Sequence, residues 1–511
     1  MSTSLRDAAT GLRTIERLNI LPRSLATAGG VELGLAQEEA APRLAVLTPA
    51  SAARLAEFEG ETAEYGEQVL LVGPCSARNS AAMRALLPWL RPQLLGLRLS
   101  AGFGDRLGLA TPGHIRALRA AGGEIASIFA QQSIREMVRT DRSPQQVMDD
   151  ALWGVFAEGW QAGFGADADH LKTPADIDAC LAAGFTFFTI DPGDHVDDRA
   201  EGAQPPELRA AFEQLPWIDL EDTPAALLQR YADRSIAVDE HTVAFDEPAT
   251  LRAAVKYGRA VAHVVRMARH LAQAAGGAGY ELEVSVDETA SPTTHAEHFY
   301  IASELKRLGV QWVSLAPRYV GAFEKGVDYI GDLEAFERDF AIHAAIARHC
   351  GPYKLSLHSG SDKFSIYPIA ARQTAGLVHL KTAGTSYLEA LRTVAQHDPA
   401  LFREIYRFAH EHYENDRASY HVSANLGRAP LPQEVADAAM PSLLDQFDAR
   451  QIVHVTFGSV LTARTGAGAW RFRDRLMALL RTQASAYAAN LESHFLRHLR
   501  PFAEIRDKIG D

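Results

Sequence analysis

The chain has 511 residues, of which 47% are hydrophobic and 23% charged, a composition typical of a globular protein with a large core. A net charge of −13 argues against nucleic-acid binding, although a local basic cluster or a metal can hold an anionic substrate inside an acidic protein. Three widely spaced cysteines argue against a disulfide framework and a CxxC zinc site. The sequence has neither a secretory signal nor an apolar run long enough for a membrane span, so a cytoplasmic location is expected.

Strand-like segments alternate with helical patterns along most of the chain. Residues 1–90 are predicted to form a small α/β lead-in, with strand candidates at 43–50 and 68–74. Eight further strand-like segments follow at residues 94–100, 124–130, 163–172, 185–191, 281–288, 311–317, 353–361 and 377–382. This alternation predicts an α/β fold, a (β/α)8 TIM-like barrel over residues 91–395, with a doubly wound open sheet as the alternative.

Two regions depart from the regular alternation. The stretch between the fourth and fifth strands is too long for one crossover, which predicts an insertion at about 195–280, helical at 205–231 and 249–273. Residues 396–511 are predicted to be mainly helical, with one strand-like run at 451–459. No GxGxxG motif opens a βαβ unit, so no nucleotide cofactor is expected.

Metal-binding residue types occur at several of the predicted strand ends. The third strand ends in Asp169 and His170, the seventh ends at His358, and the eighth carries His379 and Lys381. Strand alternation places His358, His379 and Lys381 on polar faces that point into the barrel, where isolated charges are costly. A divalent metal explains such a cluster, and imidazole ligands suit Zn, Ni, Fe or Co. Three protein ligands would leave a coordination position open for substrate.

Other readings of these residues stay open. A single strand-end histidine is more often structural. His295 and His298 lie three apart on a helix and could bind a metal as a pair, although a solvated helix face is the favoured prediction for them. His343 and His349 are likewise predicted to be surface residues. Asp169 could instead cap a helix or orient a metal-bound histidine.

Asp169 and His170 have opposite parity in an ideal strand. Both face one site only if the strand ends there and the chain turns, as Thr173-Pro174 suggests.

The motifs resemble those of two related groups of enzymes. ADHLK and HSGSDK, at residues 168–172 and 358–363, resemble motifs of the class II, metal-dependent sugar aldolases. A closer likeness is to the tagaturonate/fructuronate epimerase family, which includes tagatose 4-epimerases. Segments resembling that family occur in the same order at residues 100–118, 128–137, 284–298 and 379–392, and the likeness spans roughly 70–480.

The resemblance implies an activity and assigns residues to it. The implied activity is the interconversion of D-tagaturonate and D-fructuronate, in hexuronate catabolism, by inversion at C4 of the ketose skeleton. Asp169 would be the proton acceptor, and Glu283 the second acid/base group or a carboxylate that touches the metal. His170, His358 and His379 would bind one divalent transition metal, with Zn, Ni, Fe, Co and Mn as candidates.

The reaction itself suggests a route. C4 is β to the C2 ketone, so its C–H bond is not activated for deprotonation, and the sequence shows no nicotinamide site for oxidation and reduction. Retro-aldol cleavage between C3 and C4, followed by re-addition to the other face of the aldehyde, needs only a base and a metal. Lys363, Lys381 and Arg318 are the candidates for binding the substrate carboxylate.

Two other functions are alternatives to epimerisation. One is a class II ketose-bisphosphate aldolase, and the other is a non-catalytic partner subunit of an aldolase. In the favoured case the partner is a small ketose or ketouronate, not a nucleic acid or a membrane. The sequence is compatible with a homo-oligomer, and it leaves open whether neutral ketoses such as fructose and tagatose are also substrates.

Overall fold

The computed structural model describes residues 11–15, 17–38, 41–51, 53–382 and 384–504. Both ends of the chain, which belong to the segments predicted for 1–90 and 396–511, therefore extend beyond the described residues. Within the described ranges, no helix is both long and apolar enough to cross a membrane.

A five-stranded antiparallel sheet and one helix precede the barrel. They comprise β1 (Ala26–Ala28), β2 (Val31–Ala36), β3 (Arg43–Pro49), β4 (Glu61–Tyr65), β5 (Gln68–Pro74) and α1 (Ala77–Leu86). The strands lie in the order β1-β2-β3-β5-β4. The strand candidates at 43–50 and 68–74 are β3 and β5, which pair with each other.

The first half of the barrel contributes four strands and four helices. They are β6 (Ser100–Gly104), α2 (Thr111–Ala121), β7 (Ala126–Ser133), α3 (Ile134–Thr140), α4 (Pro144–Glu158), β8 (Gly165–Leu171), α5 (Pro174–Ala183) and β9 (Phe187–Ile190). The first strand begins at Ser100, where the predicted segment ended. The reason lies in the preceding loop, whose Leu95 amide donates to the Glu281 carboxylate at 2.9 Å rather than to a neighbouring strand.

The long connection after β9 carries the predicted insertion. It contains α6 (Pro205–Glu213), α7 (Pro224–Tyr231), β10 (Arg234–Val238), β11 (His241–Phe245) and α8 (Glu247–Ala275). The antiparallel hairpin of β10 and β11 was not predicted. Helix α8 packs beside α5 and thus takes the position of the outer helix that follows the fourth barrel strand.

The second half of the chain closes the barrel. It contains β12 (Glu281–Ser285), α9 (His295–Arg307), β13 (Ser314–Ala316), α10 (Leu333–Cys350), β14 (Lys354–Leu357), α11 (Tyr367–Thr374), β15 (Val378–Thr382) and α12 (Thr385–His397). Strand β12 pairs with β9, and β15 returns to pair with β6. The eight parallel strands form a closed barrel, which confirms the predicted fold class and removes the open-sheet alternative.

Helices dominate the remainder of the chain. They are α13 (Pro399–Asp416), α14 (Phe447–Val455), α15 (Phe457–Thr462), α16 (Arg473–Thr482) and α17 (Ala484–Ala503). Helix α17 packs against α2, α11 and α12, and so joins the outer ring across the point of barrel closure. The strand predicted at 451–459 is wrong, because this run forms α14 and the start of α15. Both are buried on nearly all sides, and a short apolar run does not distinguish a buried helix from a buried strand.

Candidate active site

Polar side chains from four strands meet at the carboxyl end of the barrel. Asp169 and His170 lie at the end of β8, Glu283 lies on β12, His358 directly follows β14, and Lys381 lies on β15. Because the strands are parallel and the barrel is closed, these ends open on one face, which is where barrel enzymes carry their chemistry.

Lys381 is the centre of a buried charge cluster. Its Nζ lies 2.7 Å from Oδ1 of Asp169, 2.8 Å from Oδ2 of Asp167 and 2.9 Å from Oε1 of Glu283, and it donates to Thr189 Oγ1 at 2.7 Å. Burial lowers the pKa of Lys381, but the carboxylates outweigh burial and hold that pKa well above its ordinary value. One ammonium thus faces three carboxylates, two of which, Asp169 and Glu283, also face the imidazoles of His170 and His358. Lys381 therefore organises these carboxylates and is not free to bind a substrate anion.

A backbone irregularity in β8 turns His170 toward the site. The pairing of β8 with β9 shifts register between Ala168 and Leu171, and His170 has a positive φ of 50°. Such a bulge inserts an extra residue and changes the direction of a side chain. It therefore explains how Asp169 and His170, which have opposite parity in an ideal strand, can both face the site. This explanation differs from the expected one, since β8 continues to Leu171 rather than ending at this point.

His170 is held by carboxylates on two sides. Its Nδ1 lies 3.3 Å from Oδ2 of Asp191, and its Nε2 lies 3.9 Å from Oδ2 of Asp169. Burial lowers the pKa of His170, but Asp169 and Asp191 outweigh burial and raise that pKa to about 10. The position therefore favours positive charge.

His358 lies next to His170 and contacts carboxylates from β12 and the loop after it. The two imidazole rings meet edge to face, with centroids 5.1 Å apart. Nε2 of His358 lies 2.5 Å from Oε1 of Glu283, and its Nδ1 lies 3.2 Å from Oδ1 of Asp287. Burial and Lys381 lower the pKa of His358, but Asp287 and Glu283 raise it to about 9.

The donor atoms at this face are close enough to share a metal ion. Asp169, His170 and His358 each offer one ligand atom, and these atoms lie within 4.8 Å of one another. His170 also forms such a group with Asp191 and Glu288. Two imidazoles among carboxylates are a donor set that suits a divalent transition metal, so the residues present fit the predicted group.

His379 is not brought to the other two histidines. Its Nδ1 lies 2.9 Å from Ser100 Oγ, and its ring packs against Phe187 at 5.4 Å between centroids. Burial lowers the pKa of His379 to about 3. His379 faces the barrel interior as predicted, but it lies two residues before Lys381 and therefore about 6.6 Å deeper along the strand.

Lys363 also lies away from the substrate side of the site. Its buried Nζ donates to the carbonyl oxygens of Glu324, Val327 and Ser361, at 2.8, 2.6 and 3.0 Å. These contacts use all three donors of the ammonium group. Lys363 therefore fixes the loop after β13, and the prediction that it binds the substrate carboxylate is not supported by this geometry.

A cavity of about 460 Å³ opens onto this face of the barrel. Its walls include His358, Asp287 and Glu288, which lie beside the charge cluster, and Arg318 and Lys325 from the loop after β13. Arg318 was predicted to bind an anion, and it does line the cavity, where its guanidinium also donates to the Thr289 carbonyl.

Lys325 was missed by the sequence analysis. Its Nζ donates to Ser359 Oγ at 2.5 Å, beside His358. It lies nine positions after the end of β13 at Ala316, so no strand-end pattern points to it. Tyr420, from the C-terminal region, also lines the cavity and was likewise not predicted.

Comparisons with known proteins give one consistent result. A sequence model of a family described as tagaturonate epimerase matches residues 21–502. A tagaturonate/fructuronate epimerase of Thermotoga maritima is 44% identical over 421 residues, which cover 82% of this chain and 84% of that protein.

Solved structures agree in fold over nearly the whole chain. The native crystal structure of a fructuronate-tagaturonate epimerase from Cohnella laeviribosi is 37% identical, with a TM-score of 0.90, and the match covers 96% of this chain and 98% of that one. The same epimerase complexed with one glycerol is 38% identical, also with a TM-score of 0.90, and the match covers 95% and 97% of the two chains.

Proposed function

This chain belongs to the tagaturonate epimerase family, and from that premise we propose that it interconverts tagaturonate and fructuronate by breaking and remaking the C3–C4 bond. The observation that carries the proposal is the cluster of Asp169, His170, Glu283 and His358 beside a substrate-sized cavity. These residues can move hydroxyl protons and hold a cation, and no nucleotide cofactor is needed for the reaction.

The proposed route keeps every atom within the site. A base takes the proton of the C4 hydroxyl, C4 becomes an aldehyde carbon, and the C3–C4 electron pair passes to C3 and onto the C2 oxygen. The aldehyde turns, C3 attacks its other face, and the proton returns to the C4 oxygen. The hydrogen on C4 stays on carbon throughout, and nothing is oxidised or reduced overall.

A divalent transition metal fits the donor atoms at the barrel face. We propose that His170 and His358 hold it, with a carboxylate oxygen of the same cluster as a further donor. When bound, such a metal supplies Lewis-acid stabilisation for the negative charge that develops as the bond breaks. His379 is left out of the ligand set because it lies deeper in the barrel, against Ser100.

Asp169 and Glu283 are the proposed proton-transfer groups. Burial raises the pKa of Asp169, but His170 and Lys381 outweigh it and hold that pKa well below its ordinary value, which keeps the group ionised. Glu283 is fully buried, and its Oε2 has no hydrogen-bond partner among the described residues. Positioned acid–base groups of this kind contribute roughly 10²–10⁴-fold in rate.

The substrate carboxylate is proposed to bind at the cavity wall formed by Lys325 and Arg318. Both lie on the loop after β13, whose backbone carbonyls at Glu324 and Val327 accept hydrogen bonds from Lys363.

Metal removal tests the proposed function. Chelator-treated enzyme should lose conversion of tagaturonate, followed by NMR, and regain it when a divalent transition metal is added back. A His358→Ala enzyme should stay inactive after the same addition, whereas His349→Ala, on the exposed side of α10, should behave as the wild type. Full activity in metal-free enzyme, or in the His358→Ala enzyme, would contradict the proposed metal role.

A further inference from the structure

A second group of metal-ligand side chains lies outside the barrel, between α9 and α10. Nε2 of His295 lies 3.0 Å from Oδ1 of Asp339, and Nε2 of His343 lies 3.5 Å from Oδ2 of the same carboxylate. The donor atoms of all three residues lie within 4.8 Å of one another. His343 was predicted to be a surface residue, but it is fully buried.

The two histidines contact the Asp339 carboxylate at ion-pair distance. Nε2 of His295, Nε2 of His343 and Oδ2 of Asp339 are buried, and none has a hydrogen-bond partner among the described residues. Buried polar atoms are nearly always partnered, so three unpartnered atoms that face one another call for an explanation.

A second layer of hydrogen bonds orients the buried histidine. Nδ1 of His343 lies 2.8 Å from Nδ1 of His298, and Nε2 of His298 lies 2.7 Å from the hydroxyl of Tyr353. If His343 Nδ1 carries the proton and donates to His298, then His343 Nε2 presents a lone pair toward Asp339. Fixing the tautomer of a ligand through its other ring nitrogen is how metal-binding histidines are usually supported.

We propose that His295, Asp339 and His343 bind a divalent transition metal that joins α9 to α10. Zinc–nitrogen and zinc–oxygen bonds of about 2.0–2.2 Å in a tetrahedral site separate neighbouring ligand atoms by about 3.3 Å. The observed separations of 3.0 and 3.5 Å, each to a different oxygen of Asp339, are close to that value. A tetrahedral site with three protein ligands would take a water molecule as its fourth ligand.

A third group of metal-ligand side chains in the described chain, formed by Asp362, His494 and His498, is less suited to binding a metal. Nε2 of His498 accepts a hydrogen bond from the backbone N–H of Asp362 at 3.0 Å, and the Asp362 carboxylate pairs with Arg450 at 2.6 Å. A nitrogen whose lone pair is already used, and a carboxylate already paired with a cation, are poor metal ligands. The group at His295 shows neither feature.

Cobalt(II) titration of the metal-stripped enzyme tests this proposal, because tetrahedral cobalt absorbs visible light and can be counted. The wild type should bind about two equivalents per chain, one per site. His295→Ala should bind about one equivalent and keep its epimerase activity, and His358→Ala should also bind about one. The matched control His349→Ala removes an exposed histidine from α10 and should still bind two.

A second variant and a second measurement distinguish the loss of a metal ligand from misfolding of the variant. Asp339→Asn should lose the same equivalent as His295→Ala, and cobalt should raise the melting temperature of His358→Ala but not that of His295→Ala combined with His358→Ala. Equal cobalt binding by the wild type, His295→Ala and Asp339→Asn would overturn the proposal. It would leave Asp339 as a carboxylate bridging two histidines and would not touch the proposed function.

Discussion

Two lysines at the site differ in their surroundings, and the surroundings determine whether the charge of each lysine is available to a substrate anion. Lys381 is buried among carboxylates, whereas Lys325 is half-buried in the cavity wall. Within the described chain, no carboxylate lies within ion-pair distance of Lys325, whose Nζ contacts only the hydroxyl of Ser359. Its positive charge is therefore available to a substrate anion.

Lys325→Met should weaken the binding of tagaturonate more than that of a neutral ketose. A hydrogen bond to a charged group contributes about 1.5–3 kcal/mol, so the KM for tagaturonate should rise roughly 10–100-fold. The affinity for tagatose, measured as a competitor, should change little. Lys306→Met, on the outer helix α9, is the control. Equal effects on both sugars would remove Lys325 from the carboxylate site.

Several residues of the site could be predicted to lie close together, because polar side chains at the carboxyl ends of parallel barrel strands meet at one face. Asp169, His170, His358 and Lys381 followed from that rule and from strand alternation. Alternation gives the face of a residue but not its depth, which is why the sequence could place His379 on the polar face without showing that it lies deeper than His170 and His358. Lys325 could not be predicted, because its position depends on the path of a long loop.

At the scale of elements, the outer ring depends on one close helix pair. Helix α17 crosses α2 at Gly113, where an added Cβ would lie 2.5 Å from Cβ of Leu491 and 3.2 Å from the carbonyl oxygen of Ala488. The absence of a side chain at Gly113 is thus what allows the C-terminal helix to seal the ring. Seven of the eight barrel strands were recognisable from their sequence, and the first was placed too early, but nothing local indicated this long-range pairing.

Gly113→Val should destabilise the protein by forcing the two helices apart. Overpacking of a close interface costs about 1–3 kcal/mol, which chemical denaturation would measure as a lower free energy of unfolding. Ala120→Val introduces the same side chain at an exposed position of α2 and should cost less than about 1 kcal/mol. A Gly113→Val protein as stable as Ala120→Val would contradict the close packing.

At the scale of the whole molecule, the C-terminal helices are tied to the barrel by buried charge. Asp362, just beyond β14, pairs with Arg450 of α14 at 2.6 Å and with His494 of α17 at 3.1 Å. Tyr420, which also belongs to the C-terminal region, lines the cavity. The barrel and the C-terminal region therefore form one unit, a relation that pairs residues 88 and 132 positions apart and that sequence patterns do not reveal.

Acid should weaken this connection. Burial raises the pKa of Asp362, but Arg450 and His494 outweigh it and hold that pKa well below the ordinary value of 3.8. A carboxylate with a depressed pKa adds stability above about pH 4 and loses it as the pH falls further. Asp362→Asn should therefore cost about 3–5 kcal/mol at pH 7, and the gap to the wild type should shrink toward pH 3.

A surface ion pair provides the control for this pH dependence. Asp445 is exposed and pairs with Arg392 at 2.8 Å, so Asp445→Asn should cost no more than about 1 kcal/mol. Denaturation curves give the free energies of unfolding of the wild type, Asp362→Asn and Asp445→Asn between pH 7 and pH 3. A constant gap between Asp362→Asn and the wild type from pH 7 to pH 3 would contradict the assigned charge state.

Inversion of C4 of tagaturonate by cleavage of the C3–C4 bond can be followed by isotope exchange with the solvent. Tagaturonate is incubated with metal-loaded enzyme in D₂O, and proton NMR follows the C4 position of both sugars. We expect fructuronate to appear with its C4 hydrogen retained, because that hydrogen stays on the aldehyde carbon. Deuterium entering C4 in step with turnover would contradict the retro-aldol route, and the absence of fructuronate would contradict the epimerase assignment itself.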